Sequence, residues 1–197
     1  SLKIWENLSS ELNYNVMFSQ RGVMNLAHNE HDVKEIKRRM SANRLNGLDS
    51  HWIDKNQIKK LVPIMNTDNL RYPVLGAAFQ PRGGVARHDA IAWGFAMRAD
   101  EMGVDIIQNC EVKSIKTNNG IVEGVETSRG FIQSKKIGVV ASGHTSVLAA
   151  TAGVRLPLQS RPLQALVSEP IKPVIDTVVM SNAVHAYVSQ SDKGELV

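Results

Sequence analysis

The stretch Lys136-Ile137-Gly138-Val139-Val140-Ala141-Ser142-Gly143-His144-Thr145-Ser146 decides how this chain is read. Residues 136–141 have the short, continuous apolar character of a strand buried on both faces in a parallel sheet. The glycine at position 143 lets backbone approach a bound group, and a helix starting there would turn its amide dipoles toward phosphate. On this motif alone two readings stand, a nucleotide-binding turn and a plain strand-to-helix connection.

Upstream of it the pattern predicts a strand over 104–115, a hairpin turn at Asn118-Asn119-Gly120, a second strand over 121–127, a turn at Ser128-Arg129-Gly130 and a return over 131–133. Earlier still, Ile91, Ala92, Phe95, Ala96, Ala99 and Met102 mark one face of a helix that ends at Gly103, after a turn at Gln80-Pro81-Arg82-Gly83-Gly84. Residues 1–62 read as largely helical, with one strand near 16–26. An amphipathic helix over 31–44 carries Val33, Ile36 and Met40, with Asp32 as a capping acid and Asn46-Gly47 as its stop. A second helix over 53–61 ends before Pro63. Beyond the opening stretch, 156–197 is rich in Val, Ile and Leu with prolines at 157, 162, 170 and 173, which predicts short strands in a second, antiparallel region. The expected organisation is a helical region over 1–75, part of a nucleotide-binding domain over 76–153 and an antiparallel region from 154 on.

Composition bounds the rest. With 197 residues and 43% hydrophobic content the chain can bury the core of one ordinary domain. No apolar run reaches the roughly 18 residues of a membrane helix. A single cysteine, Cys110, permits no internal disulfide and fits a reducing cytoplasm. The net charge of +4 gathers at Lys34, Lys37, Arg38, Arg39 and Arg44. No aromatic residue interleaves these charges, so a solvated helix face is preferred over a nucleic-acid surface.

Several segments together resemble the flavin-dependent amine oxidases of the D-amino acid oxidase superfamily: Gly83-Gly84-Val85-Ala86-Arg87-His88-Asp89, Trp93-Gly94-Phe95-Ala96, Gly103-Val104 with Glu111-Val112, and Ala141-Ser142-Gly143-His144-Thr145-Ser146. Within it the chain is similar to the beta-subunit family of heterotetrameric sarcosine oxidases, through 159–168, Val178-Val179-Met180-Ser181-Asn182 and 187–197. The fold this implies is the mixed α/β, two-layer FAD-binding oxidoreductase fold. Ser1-Leu2-Lys3 has no initiator Met and the chain stops on the apolar pair Leu196-Val197, so both ends read as cuts; no G-x-G-x-x-G occurs, so the segment is expected to hold part of a site, inactive alone.

The resemblance also implies roles. FAD and covalent FMN are the expected cofactors, sarcosine the small-molecule amine substrate, and alpha, gamma and delta subunits the partners, one of them linked to tetrahydrofolate. Neither nucleic acid nor membrane is expected as a partner. His88 aligns with the histidine that carries FMN. Neutral imidazole is a nucleophile near pH 7, and a positive charge, from Arg82 or Arg87, would make the flavin 8-methyl carbon electrophilic. A lone histidine is more often a cap or core residue. Val112 aligns with a backbone contact to the adenine of FAD, with ordinary strand packing as the alternative, and Ser142, Gly143 and His144 with the approach to its pyrophosphate, with a helix cap as the alternative for His144. His185 and Tyr187, two apart in a strand pattern, would share a face as pocket-wall residues or pack in a core. The alternatives are an FAD-only amine or amino acid dehydrogenase or oxidase and, more remotely, a non-catalytic basic binding module.

Overall fold

The computed structural model describes residues 1–68 and 71–197. Its chain forms two compact units, Ser1–Gly103 with Ala165–Val197, and Val104–Gln164.

The first unit is built on β1 (Val23–Ala27), whose alternation serves two faces at once. Met24 and Leu26 enter a core with Ile53, Ile58, Val62, Val74, Ala77 and Ile175. Ala27 faces the other way, against Ile36 and Met40 of α2 (Glu30–Leu45). β3 (Gly76–Gln80) pairs antiparallel with β1 and with β2 (His51–Ile53). β7 (Val178–Ser181) lies parallel to β1, with Val23 opposite Val178, and β8 (Ala186–Val188) closes the edge antiparallel to β7. The sheet order is β2-β3-β1-β7-β8.

Local chemistry sets the helix ends. Asn29 caps α2 by accepting from the Asp32 amide at 2.9 Å, and Asp32 accepts in turn from the His28 amide at 3.0 Å. Gly47, at φ +76°, follows its last turn as the Asn-Gly signal predicts. Asp54 and Gln57 form a capping box on α3 (Lys55–Leu61), which places Ile53 in β2 and not in the helix. α1 (Leu2–Glu11) contributes Leu8 to a small core with Leu12 and Val16.

α4 (His88–Glu101) differs from expectation in the face it buries. Ala90 and Gly94 are inside, while Phe95 and Met102 are 52% and 73% exposed. Close approach chose the face: a Cβ on Gly94 would stand 3.0 Å from the Tyr14 ring and 3.2 Å from Leu12.

The second unit is an antiparallel meander of β4 (Val112–Asn118), β5 (Ile121–Thr127) and β6 (Gly130–Gln133). Asn119 and Gly120 take φ +50° and +78°, the pair of positive angles that the Asn-Gly turn requires. α5 (Thr145–Ala150) is tied to β4 where the Thr151 hydroxyl accepts from the Ile115 amide at 2.9 Å.

Three expectations are corrected. Residues 104–111 are not strand, because a turn at Gln108-Asn109 interrupts them and Asn109 sits at φ +51°. Residues 136–141 are not strand either: they have no ladder partner among the described residues, and Val140 is 99% exposed. An apolar run becomes a strand only when another backbone satisfies its amides. The C-terminal strands, lastly, form no separate antiparallel region, since β7 joins the sheet of β1 in parallel.

Candidate functional site

His88 is reached through a tightly held turn. Arg82 donates from Nε to Glu6 at 2.7 Å, forms a second bond to the same carboxylate, and approaches Asp49 at 3.6 Å. Gln20 joins them, donating to Glu6 at 2.8 Å and to the Arg82 carbonyl at 2.7 Å. After this anchor the chain passes through Gly83 and Gly84, where a Cβ at 84 would stand 1.9 Å from the Ser19 carbonyl oxygen. That contact accompanies the paired hydrogen bonds between Ser19 and Val85, at 2.7 and 3.0 Å. The turn therefore delivers His88 as the first residue of α4, exposed and with no hydrogen bond to its ring among the described residues.

The guanidinium of Arg82, with help from Gln20, pulls the Glu6 carboxyl down to about 2. A carboxylate depressed in the folded state stabilises the fold fully above its unfolded value, near 4.3, and that contribution is lost as pH falls through about 2. The Glu6→Gln variant should accordingly melt below the wild type at pH 7, with the gap closing between pH 4 and 2. Thermal unfolding of both proteins across that range checks this, and a gap independent of pH would contradict it.

His88 and Tyr187 line one cavity of about 570 Å3 in the first unit, together with Arg21, Arg87, Gln190 and Lys193. His185 does not line it. It occupies the turn before β8 at φ +51°, so the shared strand face expected for His185 and Tyr187 is not formed. Arg87 does line it, but its guanidinium is paired with Asp89, which also accepts from the Ala90 amide at 2.9 Å. That pairing lowers the Asp89 carboxyl and raises Arg87, so the two charges offset each other. Arg82 is bound to Glu6 and does not line the cavity.

Sequence reasoning missed Gln190, which is buried and fully used. Its Oε1 accepts from the Val174 and Ile175 amides at 2.7 and 3.2 Å, and its Nε2 donates to the carbonyls of Gly194 and Lys172 at 2.9 and 3.1 Å. It ties together the backbone segments around it and itself lines the His88 cavity. A glutamine has no sequence signature for this, because its partners are backbone atoms.

In the second unit, Val112 and His144 line a separate cavity of about 690 Å3 with Ile115, Ile137, Val139 and Ala141. Ser142 and Gly143 stand beside it in a short 3-10 turn (Ser142–His144). Ser142 takes φ +47°, a left-handed conformation unusual without glycine, and the Gly143 carbonyl accepts from the Ser160 hydroxyl at 2.6 Å. The cleft is mostly apolar and borders the glycine-containing turn at 142–144. Cys110 is a half-buried free thiol. Among the described residues no group of His, Cys, Asp and Glu could hold a metal, and no helix is long and apolar enough to cross a membrane.

The chain belongs to the FAD dependent oxidoreductase family, whose model matches residues 1–197. It is 57% identical to the sarcosine oxidase subunit beta of Arthrobacter sp over all of its length and 49% of that protein. With the subunit of the same name from Rhodobacter capsulatus it shares 56% over 98% of the chain and 47% of the relative. The chain thus spans about half the length of these relatives. Among solved structures it is similar to the L-proline dehydrogenase of P. horikoshii, with a TM-score of 0.82 and 25% identity over 99% of this chain and 52% of that one.

Proposed function

We propose that the chain is part of a subunit that oxidises the N-methyl group of sarcosine, with FAD as the first electron acceptor and FMN carried on His88 as the second. The observation that carries this reading is identity of 57% and 56% to two sarcosine oxidase beta subunits across essentially the whole chain, joined to an exposed histidine at a cavity wall. When bound, FAD would accept two electrons from the amine, and FMN would pass them to dioxygen with hydrogen peroxide formed.

The residues present fit both groups. Val112 would meet the adenine with its backbone amide and carbonyl. Ser142, Gly143 and His144 would lie along the pyrophosphate, and a branched side chain at 143 would push against that bound group. Tyr187 would wall the FMN site, and the unbonded ring of His88 leaves a nitrogen for the covalent link. The partner subunits, alpha, gamma and delta, are assigned on the same family grounds; the residues that grip the substrate carboxylate would lie outside this segment, and a cytoplasmic setting rests on the single cysteine. The segment alone would be inactive.

Anaerobic titration of the full-length assembly with sarcosine tests the reading. Bleaching of flavin absorbance at near-stoichiometric sarcosine is the expected result. Bleaching by proline or glycine with none by sarcosine would move the protein to another amine substrate.

A further inference from the structure

Attachment of a flavin to His88, the reading on which this inference rests, requires a positive charge facing the flavin ring. The His88 ring nitrogen bonds to the 8-methyl carbon as one C–H and one N–H bond break. Two protons and the remaining electron pair pass to the ring, and dioxygen then reoxidises it, leaving hydrogen peroxide. A fixed cation lowers the barrier by stabilising the charge that develops on the ring.

Three cations line the cavity, and two are already neutralised. Arg21 is paired with Asp192 and also donates to the Ser19 hydroxyl and the Gln190 carbonyl, each at 3.2 Å. Arg87 is paired with Asp89. The remaining carboxylate of the lining, Glu195, accepts from the Ser191 hydroxyl within its own turn. Lys193 has no carboxylate partner among the described residues.

The turn that carries Lys193 is held from both sides. Gly194 donates to the Ser191 carbonyl at 3.0 Å, its own carbonyl accepts from Gln190 at 2.9 Å, and the Lys193 amide donates to the Ser191 hydroxyl at 3.2 Å. Gly194 itself sits at φ +98°, with the Ile171 carbonyl oxygen 2.6 Å from where a Cβ would be. Lys193 thus borders the cavity from a fixed backbone, with its ammonium on a flexible stem.

We infer that Lys193 is the electrostatic partner of the flavin ring at His88, the role that sequence reasoning gave to Arg82 or Arg87. The test uses the full-length assembly with Lys193→Met and Lys193→Arg. Three quantities are read: the fraction of His88 peptide carrying flavin by mass, the rate at which that fraction grows when FMN is supplied, and the reduction potential of the covalent flavin. Lys193→Met should slow flavinylation by about tenfold or more and make the potential more negative, while Lys193→Arg keeps both near wild type. Lys193 is exposed, so the methionine variant should melt like the wild type. A wild-type His88 peptide without flavin would overturn the site reading and this inference together. A flavinylated wild type matched by Lys193→Met in rate and potential would overturn the role of Lys193 alone.

Discussion

Replacing His88 by alanine in the full-length subunit, co-expressed with its partners, is expected to abolish the flavin that survives denaturation while leaving the dissociable FAD in place. The side chain is exposed and makes no hydrogen bond among the described residues, so its loss should cost the fold no more than about 0.5 kcal/mol. A role as helix cap would predict the reverse, lost stability with flavin unchanged. Under the proposed function, in which oxidation of the amine comes before transfer to a second flavin, sarcosine should still reduce FAD in the variant. If His88 carries the second flavin of the proposed path, turnover with dioxygen should fall by about a hundredfold or more. Mass analysis of the wild-type peptide containing His88 completes the test. A covalent flavin found on another residue would refute the assignment, and no covalent flavin at all would establish the FAD-only alternative.

The parts of this molecule legible in its sequence are those decided by neighbouring residues. Asn119-Gly120 specifies positive φ at two adjacent positions, and β5 matches its expected bounds of 121–127 because that turn fixes where it starts. Asn46-Gly47 and Gly103 ended their helices for the same kind of reason. The parts that failed depend on distant partners. β1 and β7 pair in parallel across some 150 positions, which no local pattern announces. Residues 136–141 carry the composition of a buried strand without a neighbouring ladder among the described residues.

The candidate site divides along the same line. His88 at a helix start after a Gly-Gly turn was readable, as was the glycine-containing turn at 142–144. Which cation faces the His88 cavity was not, because Arg82, Arg87 and Lys193 are equivalent in sequence until ion pairing is known. Glu6 lies 76 positions from Arg82, yet it removes that charge from the cavity.

Gly143→Val in the full-length subunit should lower FAD content by about tenfold or more, whereas Gly138→Ala should retain it. The protein itself has room at 143: a Cβ there would meet only Ser160, at 3.7 and 3.9 Å, which is ordinary contact, and one at 138 would meet nothing within 4 Å. Neither glycine takes a left-handed φ, so neither change strains the backbone. Both apo proteins should therefore melt close to the wild type, and any loss confined to Gly143→Val falls on the group held against the turn. The left-handed Ser142 supports this, since such a conformation costs about 1–3 kcal/mol and persists where its surroundings impose it. Bound flavin per subunit and the melting temperature of each apo form decide the matter. Equal FAD content in the two variants would remove Gly143 from the site. A collapse of the Gly143→Val apo form would make it a folding residue instead. Loss of FAD from a normally melting Gly143→Val protein, with Gly138→Ala unaffected, would fix the pyrophosphate at the 142–144 turn.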